Sequence, residues 1–221
     1  MNATDRIKRL FKLRFAVIYP FGAFVVIFSH ASDKSLRAGI GFIIAGLLVR
    51  AWANGYAIKL DKLTTSGPYA LVRHPLYLGT MIIIVGFAIM LNTYHVGVLF
   101  IAMMAIMYYR TIKKEEAMLE AAFNDTYLDY KKNVPAVIPT VLPYRKGEKW
   151  PFSFRRLIQS QEYKPLIWVP ILVIGFHLKS EFMVERETID TKIISLLIIA
   201  FLLGLTDIAG ELIKWKFKKN Q

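Results

Sequence analysis

The sequence contains no cysteine. That absence excludes a disulfide scaffold, a thiolate nucleophile, a cysteine zinc site and iron–sulfur ligation. Acids are scarce, with 16 Asp and Glu against 29 Lys and Arg for a net charge of +13. The four histidines do not stand at metal-ligand spacing, and no metal cluster of His, Asp and Glu is seen. There is no glycine-rich loop to cradle phosphate and no serine on a nucleophile elbow. Disorder is excluded too, because 55% of the 221 residues are hydrophobic.

Charge is missing from whole blocks of the chain. Residues 15–32 and 75–109 contain no Asp, Glu, Lys or Arg, and residues 38–58 contain only Arg50. As one helix, residues 75–109 would extend about 52 Å, well beyond a bilayer core about 30 Å thick. A break at Asn92-Thr93-Tyr94-His95 divides them into two spans. Residues 165–178 and 193–206 are shorter uncharged runs. The pattern predicts an all-α, polytopic membrane helix bundle of about six transmembrane helices. The first run has no small-x-small cleavage site after it and reads as a span rather than a signal peptide.

The basic residues test this topology. With both termini cytoplasmic, 23 of the 29 Lys and Arg fall in inner segments and five in outer loops, with Arg50 inside a span. That asymmetry is the positive-inside pattern. The positive charge therefore reads as orientation toward anionic lipid headgroups, not as a nucleic-acid surface. Residues 1–139 form the expected core, 140–164 a basic-aromatic linker and 165–221 a C-terminal helix pair.

Two inner segments carry unusual chemistry. In the first, Gly67-Pro68-Tyr69 turns the chain and Arg73-His74 precedes Pro75, which suits the first position of a helix. The free amides of Leu76, Tyr77 and Leu78 at that helix start favour an anion, and Gly79 permits close approach of another group. A plainer reading makes Arg73 and Tyr77 an interfacial anchor. In the second, Ala117, Leu119, Ala122, Phe123 and Tyr127 mark an apolar stripe on a helix that continues past Arg110 and ends near Phe123-Asn124. Here the plainer reading makes Lys113, Lys114, Glu115, Glu116 and Glu120 a solvated face. Arg50 and Asn54 share one face of the second span. An unpaired charge at the depth of Arg50 costs about 2.5–3.5 kcal/mol, so Arg50 turns toward a partner or snorkels to the headgroups. Asp207 in the last span has the same two readings.

Gly67-Pro-Tyr with Arg73-His-Pro-Leu-Tyr-Leu-Gly79, then Arg110, Glu115-Glu116 and Tyr127-x-x-Tyr130, resembles the isoprenylcysteine carboxyl methyltransferase family and the wider phospholipid N-methyltransferase group. Residues 48–56 also resemble its second-helix region, and the likeness covers residues 47–139. The resemblance implies a membrane enzyme using S-adenosylmethionine on a lipophilic acceptor (a prenylated carboxylate, a lipid amine or a thiol) at the cytoplasmic face. It implies cofactor contacts at Asn54, Leu63, Thr64, Tyr69, His74, Pro75, Leu76, Tyr77, Gly79 and Glu115. Arg110 is the candidate for the catalytic and substrate arginine, one residue out of step with the family pattern, and Arg50 is a second substrate candidate. His74 is the candidate for taking a proton from an amine or thiol. No metal is implied. Membrane sterol and steroid reductases share a similar His-Pro-x-Tyr-x-Gly signature, and residues 145–156 offer basic side chains for the extra phosphate of NADPH. A non-catalytic scaffold is a third reading. The C-terminal helices complete the bundle, shape a lipid entrance or mediate a homodimer.

Overall fold

A computed structural model describes residue 29 and residues 31–58, 62–159, 163–182 and 191–219, with side chains described as far as residue 206. The expected first span, at residues 15–32, and the Asp207 side chain therefore lie outside the described residues. Six α-helices follow one another: α1 (Asp33–Tyr56), α2 (Pro75–Met90), α3 (Tyr94–Asn133), α4 (Phe154–Gln159), α5 (Lys164–Ser180) and α6 (Thr191–Lys219). A 3-10 turn, Gly67–Ala70, leads into α2. All regular structure among the described residues is helical.

α1 and α3 each contain a stretch long and apolar enough to cross a membrane, and residues 75–90 and 193–206 are shorter apolar helices. Much of their apolar surface faces outward: Leu48 is 64% exposed and Leu99 71%. An outward apolar face of this kind is a liability in water and ordinary in lipid.

α1 opens with a capping box in which the Ser32 hydroxyl accepts from the Ser35 amide and the Ser35 hydroxyl accepts from the Ser32 amide. Ser35 also donates to the Met90 carbonyl at 2.7 Å, which fixes the start of α1 against the end of α2. Along this antiparallel pair, Gly39 faces Gly86 and Gly46 faces Gly79. A Cβ added at Gly39 would stand 2.5 Å from the Gly86 carbonyl, and one at Gly46 would stand 2.6 Å from that of Gly79. Small residues at the crossing let the backbones meet, the usual solution where lipid supplies no hydrophobic drive between helices. α5 covers the outer end of the pair, where Val169, Val173 and Phe176 pack on Ile43, Met90 and Leu91.

The break between α2 and α3 falls at the expected place, with Asn92 at φ +52°. α3 then runs past the apolar block as expected. Asn124, at φ +42°, interrupts it, after which the chain resumes a helical course to Asn133. Leu119, Phe123 and Tyr127 of the expected stripe turn inward, whereas Ala117 and Ala122 are exposed.

Residues 134–156 return across the segment that precedes α2. Arg73 and His74 donate their amides to the Pro135 and Ala136 carbonyls, and Tyr144 donates to Ala70. Farther on, the Trp150 indole donates to the Tyr56 carbonyl, while the Ser153 amide and the Arg156 guanidinium both donate to that of Gly55. The basic-aromatic linker is thus hydrogen-bonded to the end of α1. Trp150 and Arg156 are turned inward because they satisfy carbonyls left open at the end of α1.

Candidate active site

The arrangement begins with Arg73. Its guanidinium donates to Glu116 Oε1 at 2.6 and 3.1 Å and to the carbonyls of Lys131 and Val134 at 2.7 and 2.6 Å. One side chain thereby joins the start of α2, the middle of α3 and the returning chain. The Glu116 side chain is only 5% exposed. This corrects the solvated-face reading for Glu116, whereas Lys113 and Lys114 are exposed and Glu115 and Glu120 are partly so.

His74 lies between the two acids, with Nδ1 3.5 Å from Glu115 and Nε2 3.6 Å from Glu116. The Tyr77 hydroxyl donates to Glu115 Oε1 at 2.5 Å. Burial acts to raise the Glu115 pKa, but the contacts from His74 and Tyr77 outweigh it and hold the carboxyl below its usual range. Glu116 is also lowered, as the Arg73 pairing overcomes burial. Both are carboxylates at neutral pH. The buried Tyr127 hydroxyl is pushed up to about 12, first by burial and then by the charge of Glu116. Burial likewise raises Tyr130, whose hydroxyl donates to the Tyr69 carbonyl at 2.6 Å.

These groups enclose a cavity of about 380 Å³, within the range of small-ligand pockets. Leu63, Thr64, Tyr69, His74, Pro75, Leu76, Tyr77 and Glu115 all line it, as does Arg50 from the direction of the membrane. Arg50 donates to Thr80 Oγ1 at 2.5 Å and to the Leu76 carbonyl at 3.3 Å. It turns into the bundle rather than snorkelling.

Three expected residues lie elsewhere. Gly79 is at the α1 seam, where an added Cβ would stand 2.7 Å from Arg50 Cγ, so the close neighbour that glycine admits is α1. Asn54 is 1% exposed and lines neither cavity described here, although its amide nitrogen and oxygen have no hydrogen-bond partner. Arg110 is exposed on α3 and lines neither cavity. The interruption at Asn124 returns the chain over Glu116, leaving Arg110 on the outer face.

Sequence reasoning missed Thr80, Tyr108 and Leu119 as cavity walls, and gave Tyr127 and Tyr130 no site role. For the two tyrosines a signal existed in their i, i+3 spacing beside the acidic pair. Tyr108 stacks on Tyr77 with ring centroids 4.7 Å apart, a long-range contact that no local pattern encodes. A second, more apolar cavity of about 330 Å³ lies between α2 and α3, lined by Met81, Ala105, Tyr109, Ile112 and Val137. It shares Arg73, Tyr77 and Tyr108 with the first. No metal-holding group of His, Asp and Glu occurs among the described residues.

The first cavity can accept a ligand carrying both signs of charge. Glu115 offers a carboxylate to an ammonium or to ribose hydroxyls. The α2 start offers backbone amides to an anion. Tyr69, Tyr77 and Tyr108 offer aromatic faces to a cation. The Tyr127 hydroxyl is buried on the wall with no hydrogen-bond partner among the described residues, open to a ligand.

Comparison with known proteins gives a consistent picture. Residues 38–126 match the phospholipid methyltransferase family. The chain is 28% identical to the cobalt-zinc-cadmium resistance protein CzcN of Cupriavidus metallidurans, over 78% of this chain and 84% of that one. It is 38% identical to the protein-S-isoprenylcysteine O-methyltransferase of Schizosaccharomyces pombe, over 47% of this chain and 49% of that enzyme. With the enzyme of the same name from Rattus norvegicus it shares 39% identity, over 58% and 42%. The chain thus spans about half the length or less of these two methyltransferases. No solved structure matches it significantly.

Proposed function

From the match of residues 38–126 to the phospholipid methyltransferase family, we propose that the chain is a membrane methyltransferase using S-adenosylmethionine on a lipophilic acceptor. The observation that carries this reading is the first cavity, where the Glu115 carboxylate, a helix start and five tyrosines converge. Glu115 holds the ammonium or ribose of the cofactor, the amides at Leu76 and Tyr77 hold its carboxylate, and the tyrosine faces favour its sulfonium. When bound, the cofactor supplies an electrophilic methyl group. The chain's own contribution is alignment and exclusion of water, which suits a direct displacement. His74 takes the proton when the acceptor is an amine or thiol, and a carboxylate acceptor needs no base.

The acceptor enters sideways from the bilayer through the apolar cavity between α2 and α3, and Arg50 orients its polar end. The Lys and Arg distribution supports six spans, cytoplasmic termini and an active site on the cytoplasmic side.

Thermal unfolding in detergent, with S-adenosylhomocysteine and NADPH compared, tests the reading. A ligand at 100 times its Kd stabilises by about 2.7 kcal/mol. The homocysteine product is expected to raise the Tm, and Glu115→Ala and His74→Ala to abolish the rise. A rise with NADPH alone would move the assignment to a reductase, and no response to either ligand would sink the catalytic reading.

A further inference from the structure

Residues 138–142 expose apolar side chains outside every span: Ile138 is 78% exposed, Val141 93% and Leu142 80%. They are held in this position. Thr140 donates its amide to the Leu71 carbonyl at 2.9 Å and Tyr144 to that of Ala70 at 2.8 Å, and the preceding residues receive the Arg73 and His74 amides. The loop is therefore fastened to the segment from which α2 departs.

Its depth follows from its neighbours. Ala136 and Val137 line the second cavity with Met81 of α2 and with Ala105 and Tyr109 of α3, which places them level with the end of the apolar part of α3. At that level Tyr109 is 63% exposed and Lys113 stands 5.6 Å above its ring. This is the aromatic-and-lysine composition of a membrane boundary. Exposed cations follow the loop at Arg145 and Lys149, on the same returning segment. Apolar tips with basic flanks are what an anionic bilayer surface accepts.

We infer that residues 138–142 insert into the headgroup–acyl boundary of an anionic bilayer and seat the mouth of the second cavity at the lipid surface. This rests on the membrane placement of α1 and α3, and not on methyl transfer.

Because the chain has no cysteine, a single introduced one can be spin-labelled without removing others. Val141→Cys and Leu142→Cys would be compared with Leu99→Cys on the outward face of α3 and with Asp125→Cys, exposed beyond the interruption in that helix. The full chain would be placed in phosphatidylcholine–phosphatidylserine vesicles. Collision of the label with oxygen, which partitions into lipid, and with a water-soluble nickel chelate then reports depth. The expected result is that Val141→Cys and Leu142→Cys lose nickel collision and gain oxygen collision relative to Asp125→Cys. Labels as open to nickel as that at Asp125 would overturn the insertion. Nickel access at Leu99→Cys would instead overturn the membrane placement beneath it.

Discussion

α2 is bordered by two different neighbours. Against α1 it is sealed by facing glycines, whose backbones leave no room for even a methyl group. Against α3 it stands apart, and both cavities open along that side, joined through Tyr77 and Tyr108. The sealed side fixes where His74, Pro75 and Tyr77 stand, and the open side lets ligands reach them. What holds the open side in register is Arg73, the polar joint spanning α2, α3 and the returning chain.

The sharpest way to break the contrast is at that joint. Arg73→Ala removes the hydrogen-bonded partner of the buried Glu116, leaving it only Lys131 Nζ at 3.7 Å and His74 Nε2 at 3.6 Å. Loss of one member of a buried pair costs about 3–5 kcal/mol, so a large fall in Tm is expected in detergent, with or without ligand. Glu115→Gln acts on the cavity alone. A charged hydrogen bond contributes about 1.5–3 kcal/mol, so S-adenosylhomocysteine should bind about 10–100 times more weakly by calorimetry, with a smaller fall in unliganded Tm than Arg73→Ala gives. Gly46→Ala probes the sealed wall. Overpacking costs about 1–3 kcal/mol, and unliganded stability should fall while the affinity of any protein that remains folded changes little. If affinity fell in step with stability, the two walls would not be separable.

Acid gives a milder test. Glu115 and Glu116 both have depressed pKa values when folded, so the unfolded chain takes up protons first. Their stabilisation is fully present above the usual carboxyl value of 4.5 and is lost as pH falls through the lower folded values. Melting curves from pH 7 to pH 3 should show Tm flat and then falling below about 4.5. Glu116→Gln should reduce that fall more than Asp125→Asn, a change at an exposed site.

The sequence announced the helices more fully than the site. Uncharged runs placed α1, α2 and the apolar part of α3, because lipid exposure leaves composition as the dominant signal. Pro75 and Asn92 marked a helix start and a turn through their own backbone preferences. The local chemistry of His74, Tyr77 and Glu115 was legible through motif spacing. The partner of each acid was not: Glu115 and Glu116 are neighbours, but one lines the cavity and the other is locked to Arg73. Which does which depends on the rotation of α3 against α2. Gly79 misled for a related reason, since a glycine declares close approach without naming what approaches. Arg110 was named from the resemblance alone, one residue out of step with its pattern, and it lies exposed on α3 away from both cavities, while Tyr127 and Tyr130 beyond Asn124 line the first.

Among the described residues, the carbonyls of Gly55 and Tyr56 are met by Trp150, Ser153 and Arg156. A chain made from its N-terminus therefore releases both walls of the cavity well before it can finish the end of α1. The stretch matching the methyltransferase family ends at residue 126, about 30 residues short of that closure. Shortening the protein to residues 38–126 would leave the end of α1 without these partners beside the first cavity, although residues 150–156 do not themselves line it.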